Sequence, residues 1–276
     1  MNGIDKIIET ALAEDIHTGD ITTLSVLPNP RRMRARLIAK EPLVLAGIAV
    51  AERVFTKLDA TVRFEAEFAD GDTLEVGEVI ARLEGDAAAL LQGERVSLNL
   101  LQRMCGIATQ TAAYVKEIEG TGARVVDTRK TTPGLRVLEK YAVRVGGGTN
   151  HRTGLYDGVL IKENHIAAAG GIGEAVRLAR GYIPHTLKIE VETETLDDVS
   201  QALQAGADII MLDNMSLSEM TAAVAAIGKR ALVEASGGVN LKTIRAIAET
   251  GVDIISVGAL THSVRAADIS MLMEEP

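Results

Sequence analysis

LKIEVETETLDDVSQALQAGADIIMLDNMSLSEMTAAVAAIGKRALVEASGGVNLKTIRAIAETGVDIISVGAL (187–260) decides the fold. Four β-rich runs, at 187–191, 208–212, 231–235 and 253–257, begin 21, 23 and 22 residues apart. Amphipathic stretches at 196–205, 216–227 and 240–250 separate them. A crossover long enough to carry a helix returns the chain to the same end of the sheet, so the strands are parallel and the connections right-handed. The rhythm extends upstream through RVVD (124–127) and GVLI (158–161), with helical stretches at 134–145 and 172–180. Six strands are fewer than the eight of a complete (β/α)₈ barrel. Spacing this tight suits a barrel wall, and no glycine-rich dinucleotide fingerprint supports an open sheet. The expectation is an incomplete, six- to seven-stranded parallel α/β barrel.

The first hundred residues read differently. Ile4, Ile7, Ile8, Ala11 and Leu12 share one helical face, and HTGDITT (17–23) reads as a loop. Met33, Ala35, Leu37 and Ala39 mark a strand with one buried face. A helix over 46–58, an alternating segment at 62–68 and short strands within 70–85 follow, then a helical stretch from 87 to about 119, interrupted near Gly106. This is an α+β unit with an antiparallel sheet, which places the domains at 1–105 and 106–265.

Composition excludes several functions. Lone Cys105 rules out a disulfide framework and any multi-cysteine metal site, and its setting after Leu98, Leu100, Leu101 and Met104 reads as a small buried residue. The net charge of −9 and an aromatic content of only 3% argue against a nucleic-acid binder. The longest apolar run, 43–51, is far short of the ~18–20 residues of a spanning helix. The acidic start, MNGIDKIIETALAEDI, is unlike a signal peptide, so a cytoplasmic protein is expected.

Barrel sites sit at the carboxyl ends of the strands. Those positions hold Asp127-Thr128-Arg129-Lys130, Lys162, Glu190 and Glu192, Asp213-Asn214, Glu234, Ser236-Gly237-Gly238 and Gly258. Residues 123–165 carry a net charge of +4 within an acidic chain, a concentration suited to a small polyanionic ligand. Arg129, Lys130, Arg152 and Lys162 are its candidate contacts, whereas Arg136, Lys140 and Arg144 lie on the intervening helix. The glycine turns ASGGV (235–239) and VGAL (257–260) follow the last two strands, where barrels bind phosphate through backbone N–H groups. Anionic Glu190 and Asp213 suit hydroxyls, a cation or a transition state developing positive charge.

DTRKTTPGLRVLEKYAVRVGGGTNHRTGLYDGVLIKENHI (127–166) strongly resembles the signature region of the quinolinate phosphoribosyltransferases. GERVSLNLLQRMCGIAT (93–109), KIEVE (188–192), IIMLDN (209–214), EASGGV (234–239), VGALTHS (257–263) and EDIHTGDITT (14–23) are similar to that family's other blocks, in order. The resemblance implies an amino-terminal open-faced α+β sandwich, an incomplete barrel, and a tail at about 266–276 packing back on the first domain. It implies a homodimer in which Arg95 reaches the neighbouring site. The implied reaction converts quinolinate and phosphoribosyl pyrophosphate to nicotinate mononucleotide, pyrophosphate and CO2 in de novo NAD biosynthesis, with Mg2+ and no organic cofactor. By the same resemblance, Arg129, His151, Arg152, Lys162 and the neighbour's Arg95 would clamp the two carboxylates. Thr128 and Lys130 join the substrate set, Glu190 and Asp213 would stabilise the oxocarbenium-like ribose, and Lys130 would neutralise pyrophosphate. Ser236, Gly237, Gly238 and Gly258 would hold the 5′-phosphate. Lys130, Lys162, Glu190 and Asp213 are the catalytic candidates, and the direct metal ligands are unassigned.

Other readings stay open at this level. Lys162 and Lys188 lie at barrel strands and would suit a Schiff-base lyase. A phosphoribosyltransferase for another pyridine, a paralogue tied to molybdenum transport, and a non-catalytic binder of phosphorylated metabolites also fit the fold.

Overall fold

The computed structural model describes residues 2–274. In chain order, α1 (Asn2–Ile16) and α2 (Ile21–Val26) precede β1 (Arg32–Ala39), β2 (Leu43–Val44) and α3 (Ile48–Leu58). Next come β3 (Arg63–Ala66), β4 (Thr73–Leu74), β5 (Val79–Asp86) and α4 (Ala87–Glu117). The middle of the chain forms β6 (Arg124–Val126), α5 (Arg136–Val145), β7 (Val159–Ile161), α6 (Glu163–Ala169) and α7 (Ile172–Tyr182). Regular alternation follows through β8 (Ile189–Thr193), α8 (Leu196–Gln204), β9 (Ile209–Asp213), α9 (Leu217–Ile227), β10 (Leu232–Ser236), α10 (Ile244–Glu249) and β11 (Ile254–Ser256). α11 (Ala259–His262) and β12 (Ile269–Glu274) end the described chain. Two compact units emerge, one of residues up to 112, 131–147 and from 263 onward, the other of 113–130 and 148–262.

The first unit is built on an antiparallel sheet of order β12-β1-β5-β3. Successive side chains of a strand point to opposite faces. Ala35, Leu37 and Ala39 therefore go inward, level with buried Leu83 and Ala81 of β5. Arg32, Arg34 and Arg36 go outward, where they meet Glu84 and Glu274. Phe55 of α3 and Leu90, Leu98 and Leu101 of α4 complete the core on the covered face. The sheet is thus an open-faced sandwich, with one side apolar and the other a lattice of exposed ion pairs. Within this unit, Arg103 donates to the almost fully buried Glu139, which also accepts the N–H of Thr132.

Two local expectations are corrected. α4 runs unbroken through Gly106, because glycine there admits a close backbone: an added Cβ would meet the carbonyl of Arg265. The segment 17–23 is only partly loop, since Asp20 accepts the N–H of Thr23 at 3.0 Å and caps α2 from Ile21. That capping signal lies inside HTGDITT.

The second unit is a six-stranded parallel sheet of order β6-β11-β10-β9-β8-β7. Val191, Ile210, Leu212, Val233, Ala235 and Ile255 are buried, and they alternate with an inner face that carries Glu190, Glu192, Met211, Asp213, Glu234, Ser236 and Ser256. β6 and β7 are the two edges, so the barrel wall has a seam. A single parallel bridge between Val126 and Thr149 supplies a rudimentary seventh strand at that seam, and residues 150–158 follow directly from it.

Candidate active site

The inner face is layered by strand register. Glu190 of β8 pairs with Ile209 of β9, while Glu192 pairs with Met211, which in turn pairs with Glu234 of β10. Ser236 pairs with Asp213 at the top of the wall. A cavity of about 750 Å³ opens on this upper level. Around its wall, β6 contributes Thr128, Arg129 and Lys130 through the loop that follows it. β11 contributes Ser256 and Gly258, β10 contributes Ser236, Gly237 and Gly238, and β9 contributes Asp213 and Asn214. Glu192 comes from β8, Lys162 follows β7, and His151 and Arg152 enter through the seam. The strand order therefore sets the cations of Arg129, Arg152 and Lys162 around the seam, with the glycine turns and the carboxylates of Glu192, Asp213 and Glu234 on the rest of the wall.

Each group is held from the chain outward. Lys130 lies beside Gly258, and its carbonyl accepts the Thr261 hydroxyl at 2.8 Å. Lys162 forms an ion pair with Glu192. The Asp213 carboxylate accepts from Asn214 Nδ2 at 2.9 Å. Gly237 and Gly238 have φ of +91° and +62°, and a Cβ on Gly237 would run into the Asn214 side chain. Asn214 itself sits at φ +53° and its N–H donates to Ser236 O at 2.9 Å, so the turns after β9 and β10 are locked together. Open turns of this kind present backbone N–H groups, the chemistry of an anion seat.

The seam segment is pinned by carboxylates. Fully buried Asp127 accepts Asn150 Nδ2 at 2.6 Å and the His151 N–H at 2.9 Å. Asp157 accepts the N–H groups of Thr153 and Gly154, which hold its carboxyl below the usual range although burial acts the other way. Arg152 donates to Gly158 O at 3.0 Å, and burial, reinforced by the nearby Arg129 cation, lowers its affinity for its proton.

Glu190 is buried one layer below the cavity, lining a second cavity of about 560 Å³ on the other side of the floor. Glu192 instead reaches the main cavity. His151 turns its Nε2 inward, 3.0 Å from Glu190 and 3.7 Å from Glu234. Burial, and secondly the charge of Glu190, push the Glu234 carboxyl up to about 8. Thr128, Arg129, Lys130, Arg152, Lys162, Asp213, Ser236, Gly237, Gly238 and Gly258 are all brought together as lining residues. Arg95 is an exposed residue of α4 in the first unit and does not line this cavity. The sequence places Glu192, Asn214 and Glu234 at strand ends but assigns them no role. Period-two alternation in KIEVE puts Glu192 on the same inward face as Glu190, and Asn214 is betrayed only by its left-handed backbone.

Two family models match: quinolinate phosphoribosyl transferase, N-terminal domain, over residues 20–105, and its C-terminal domain over residues 107–272. A Bacillus subtilis protein described as a probable nicotinate-nucleotide pyrophosphorylase (carboxylating) is 48% identical, over 97% of this chain and 92% of that one. An Arabidopsis thaliana relative, a chloroplastic nicotinate-nucleotide pyrophosphorylase (carboxylating), is 42% identical over 98% and 83%. Among solved structures, NadC from Streptococcus pyogenes superposes with a TM-score of 0.95 at 44% identity, covering 99% of this chain and 97% of that one. The nicotinate-nucleotide pyrophosphorylase from Francisella tularensis gives 0.95 at 40% identity, covering 99% and 96%.

Proposed function

The chain belongs to the quinolinate phosphoribosyltransferase family, and from that premise we propose how its cavity performs the decarboxylating phosphoribosyl transfer of de novo NAD synthesis. The observation that carries the assignment is the segregation around the wall: cations at the seam, carboxylates on β8 and β9, and glycine turns after β10 and β11.

Quinolinate is a planar dicarboxylate. Arg129, Arg152 and Lys162 clamp its two carboxylates, which fixes the direction of the ring nitrogen's lone pair. Ser236, Gly237, Gly238 and Gly258 hold the 5′-phosphate of phosphoribosyl pyrophosphate through backbone donors and a hydroxyl. The nitrogen forms its bond to the anomeric carbon as the bond to pyrophosphate breaks, with the leaving electron pair going to pyrophosphate. Glu192 and Asp213 face the ribose and stabilise the positive charge developing there. Lys130 and the His262 beside it meet the charge of the departing group. The electron pair left on the ring carbon when the adjacent carboxylate departs as CO2 is stabilised by the neighbouring positive nitrogen, and that carbon then takes up a proton. The donor set also fits Mg2+ entering with the pyrophosphate, since hard carboxylate oxygens on a site shared with phosphates are its usual ligands. Glu192 and Asp213 would hold it, and it would supply charge neutralisation on the leaving group.

A Schiff-base lyase is disfavoured by the Lys162–Glu192 ion pair, because a nucleophilic lysine must shed its proton and a carboxylate partner retains it. Incubation with quinolinate, phosphoribosyl pyrophosphate and Mg2+ tests the main reading. Nicotinate mononucleotide and CO2 should form in equal amounts, and absence of both overturns it. The site is completed by Arg95 of a second copy of the chain in a homodimer. Mixing Arg95→Ala and Lys162→Ala proteins under subunit exchange then restores up to a quarter of the sites, roughly, by random pairing. No recovered activity refutes the shared site.

A further inference from the structure

Asp213 closes β9 and Ser236 closes β10, and the two are paired in the parallel register. One residue further on, Asn214 leaves the sheet at φ +53° and meets both strand ends. Its N–H donates to Ser236 O at 2.9 Å, which extends the ladder one step past β9. Its Nδ2 donates to Asp213 Oδ2 at 2.9 Å. On the other side the amide lies against Gly237. A Cβ built there would stand 2.1 Å from Asn214 Oδ1 and 2.5 Å from its Cγ, so the amide fills the space that the glycine leaves. Beyond Asn214 the chain is fixed again, by buried Met215 and by Ser216, which caps α9 in a reciprocal box with Glu219.

Asparagine suits this place for two reasons. The left-handed region admits Asn at less cost than most residues that carry a Cβ. Glycine would satisfy the backbone equally well, but it has no amide. The amide brings a donor and an acceptor separated by one carbon, whereas an aspartate of the same shape would set a second carboxylate against Asp213. The Nδ2 bond occupies one lone-pair site of the Asp213 carboxylate, fixes the plane of the group and leaves Oδ1 for a ligand.

Phosphoribosyl pyrophosphate carries a 5′-phosphate that does not react and an anomeric carbon that does. In the functional reading above, the first sits on Ser236, Gly237 and Gly238 and the second faces Asp213. Resting on that reading, we infer that Asn214 couples these two subsites: seating the 5′-phosphate draws the glycine turn against the Asn214 amide, which holds the Asp213 carboxylate toward the ribose. Asn214 is thus a positioning residue. Binding energy from an unreactive group speeds a reaction only where it is converted into orientation at the reacting centre. A side chain packed without slack between the two subsites makes that conversion. The coupling is reciprocal, so an oriented Asp213 also tightens the phosphate seat.

The donor is tested in two pieces. Ribose 1-pyrophosphate lacks the 5′-phosphate, and inorganic phosphate is added as the missing part. Asn214→Gly keeps the left-handed turn and its N–H and removes the amide alone. With quinolinate and Mg2+, phosphate should raise turnover of the truncated donor about tenfold in the wild type and less than about twofold in Asn214→Gly. With intact phosphoribosyl pyrophosphate, Asn214→Gly should lower kcat about tenfold while KM changes less than about threefold. Calorimetric titration with phosphate alone should give Asn214→Gly an affinity within about threefold of wild type, which separates a lost coupling from a lost seat. Asn214→Asp, at saturating donor, should lose at least as much kcat as the glycine variant. No activation by phosphate in the wild type, equal activation in Asn214→Gly, or full kcat in either variant overturns the inference. So does loss of phosphate binding in Asn214→Gly, because the residue would then only build the seat. If the wild type does not turn over quinolinate at all, the functional reading fails, and binding still decides the coupling. Ribose 1-pyrophosphate should then bind about fivefold more tightly with phosphate present in the wild type, and equally with or without it in Asn214→Gly.

Discussion

The phosphate turn offers a comparison in which neighbouring glycines should respond unequally. Gly237 and Gly238 both lie at positive φ, so alanine at either costs about 1 kcal/mol of backbone strain. A Cβ on Gly238 meets nothing within 4 Å, whereas one on Gly237 collides with the Asn214 amide, which must move. Overpacking of that kind adds about 1–3 kcal/mol. Gly238→Ala should therefore lose about 1 kcal/mol of stability and Gly237→Ala about 2–4 kcal/mol, or about 2–4 °C and 4–16 °C in the unfolding midpoint. Asn214 is tied to Ser236 O, so displacing it opens the turn that receives phosphate. At ~1.4 kcal/mol per tenfold, KM for phosphoribosyl pyrophosphate should rise about tenfold or more in Gly237→Ala and about threefold or less in Gly238→Ala. Calorimetric melting and steady-state kinetics read the two quantities separately. Equal shifts in both variants, or a Gly237→Ala defect confined to KM for quinolinate, would refute the reasoning.

Other substitutions probe different links. Glu192→Gln removes the carboxylate beside Lys162 and should lower kcat about 100-fold with a smaller change in KM; undiminished kcat leaves the ribose to Asp213 alone. Arg103→Met strands Glu139 as a buried, unpaired carboxylate and should cost about 3 kcal/mol in urea unfolding. A loss under about 1 kcal/mol would show that the Thr132 N–H satisfies Glu139 by itself. Gly106→Ala improves helix propensity by about 1 kcal/mol, yet it should destabilise the chain, because the methyl meets the Arg265 carbonyl. A raised midpoint would mean that the backbone yields at no cost.

Much of this was legible because parallel α/β chains repeat one unit and place chemistry at one end of each strand. The cations Arg129, Lys130, Arg152 and Lys162 could be read from charge segregation, and the glycine turns from their place after the closing strands. Which of two inward glutamates reaches the cavity was not legible. Glu190 and Glu192 share a face, and only the register against Ile209 and Met211 ranks them by height. The inward turn of His151 was equally hidden, since it depends on Asp127 and Arg152 holding its backbone and its Nδ1. The continuity of α4 through Gly106 was missed for a related reason: the glycine answers to a backbone about 160 residues away, not to its own helix.

The pairing of β12 with β1 has a consequence in time. A ribosome emitting about 5–20 residues per second delivers the partner of β1 only after some 230 further residues, roughly 10–45 s later. Until then β1 offers an unsatisfied edge, beside which the Lys40 N–H that later donates to Asp268 O is open to any passing strand. The residues of the parallel sheet are all made within that interval. Slowed translation through 187–260 should thus lengthen the exposure of an edge far upstream of the pause, and raise the share of newly made chain that aggregates.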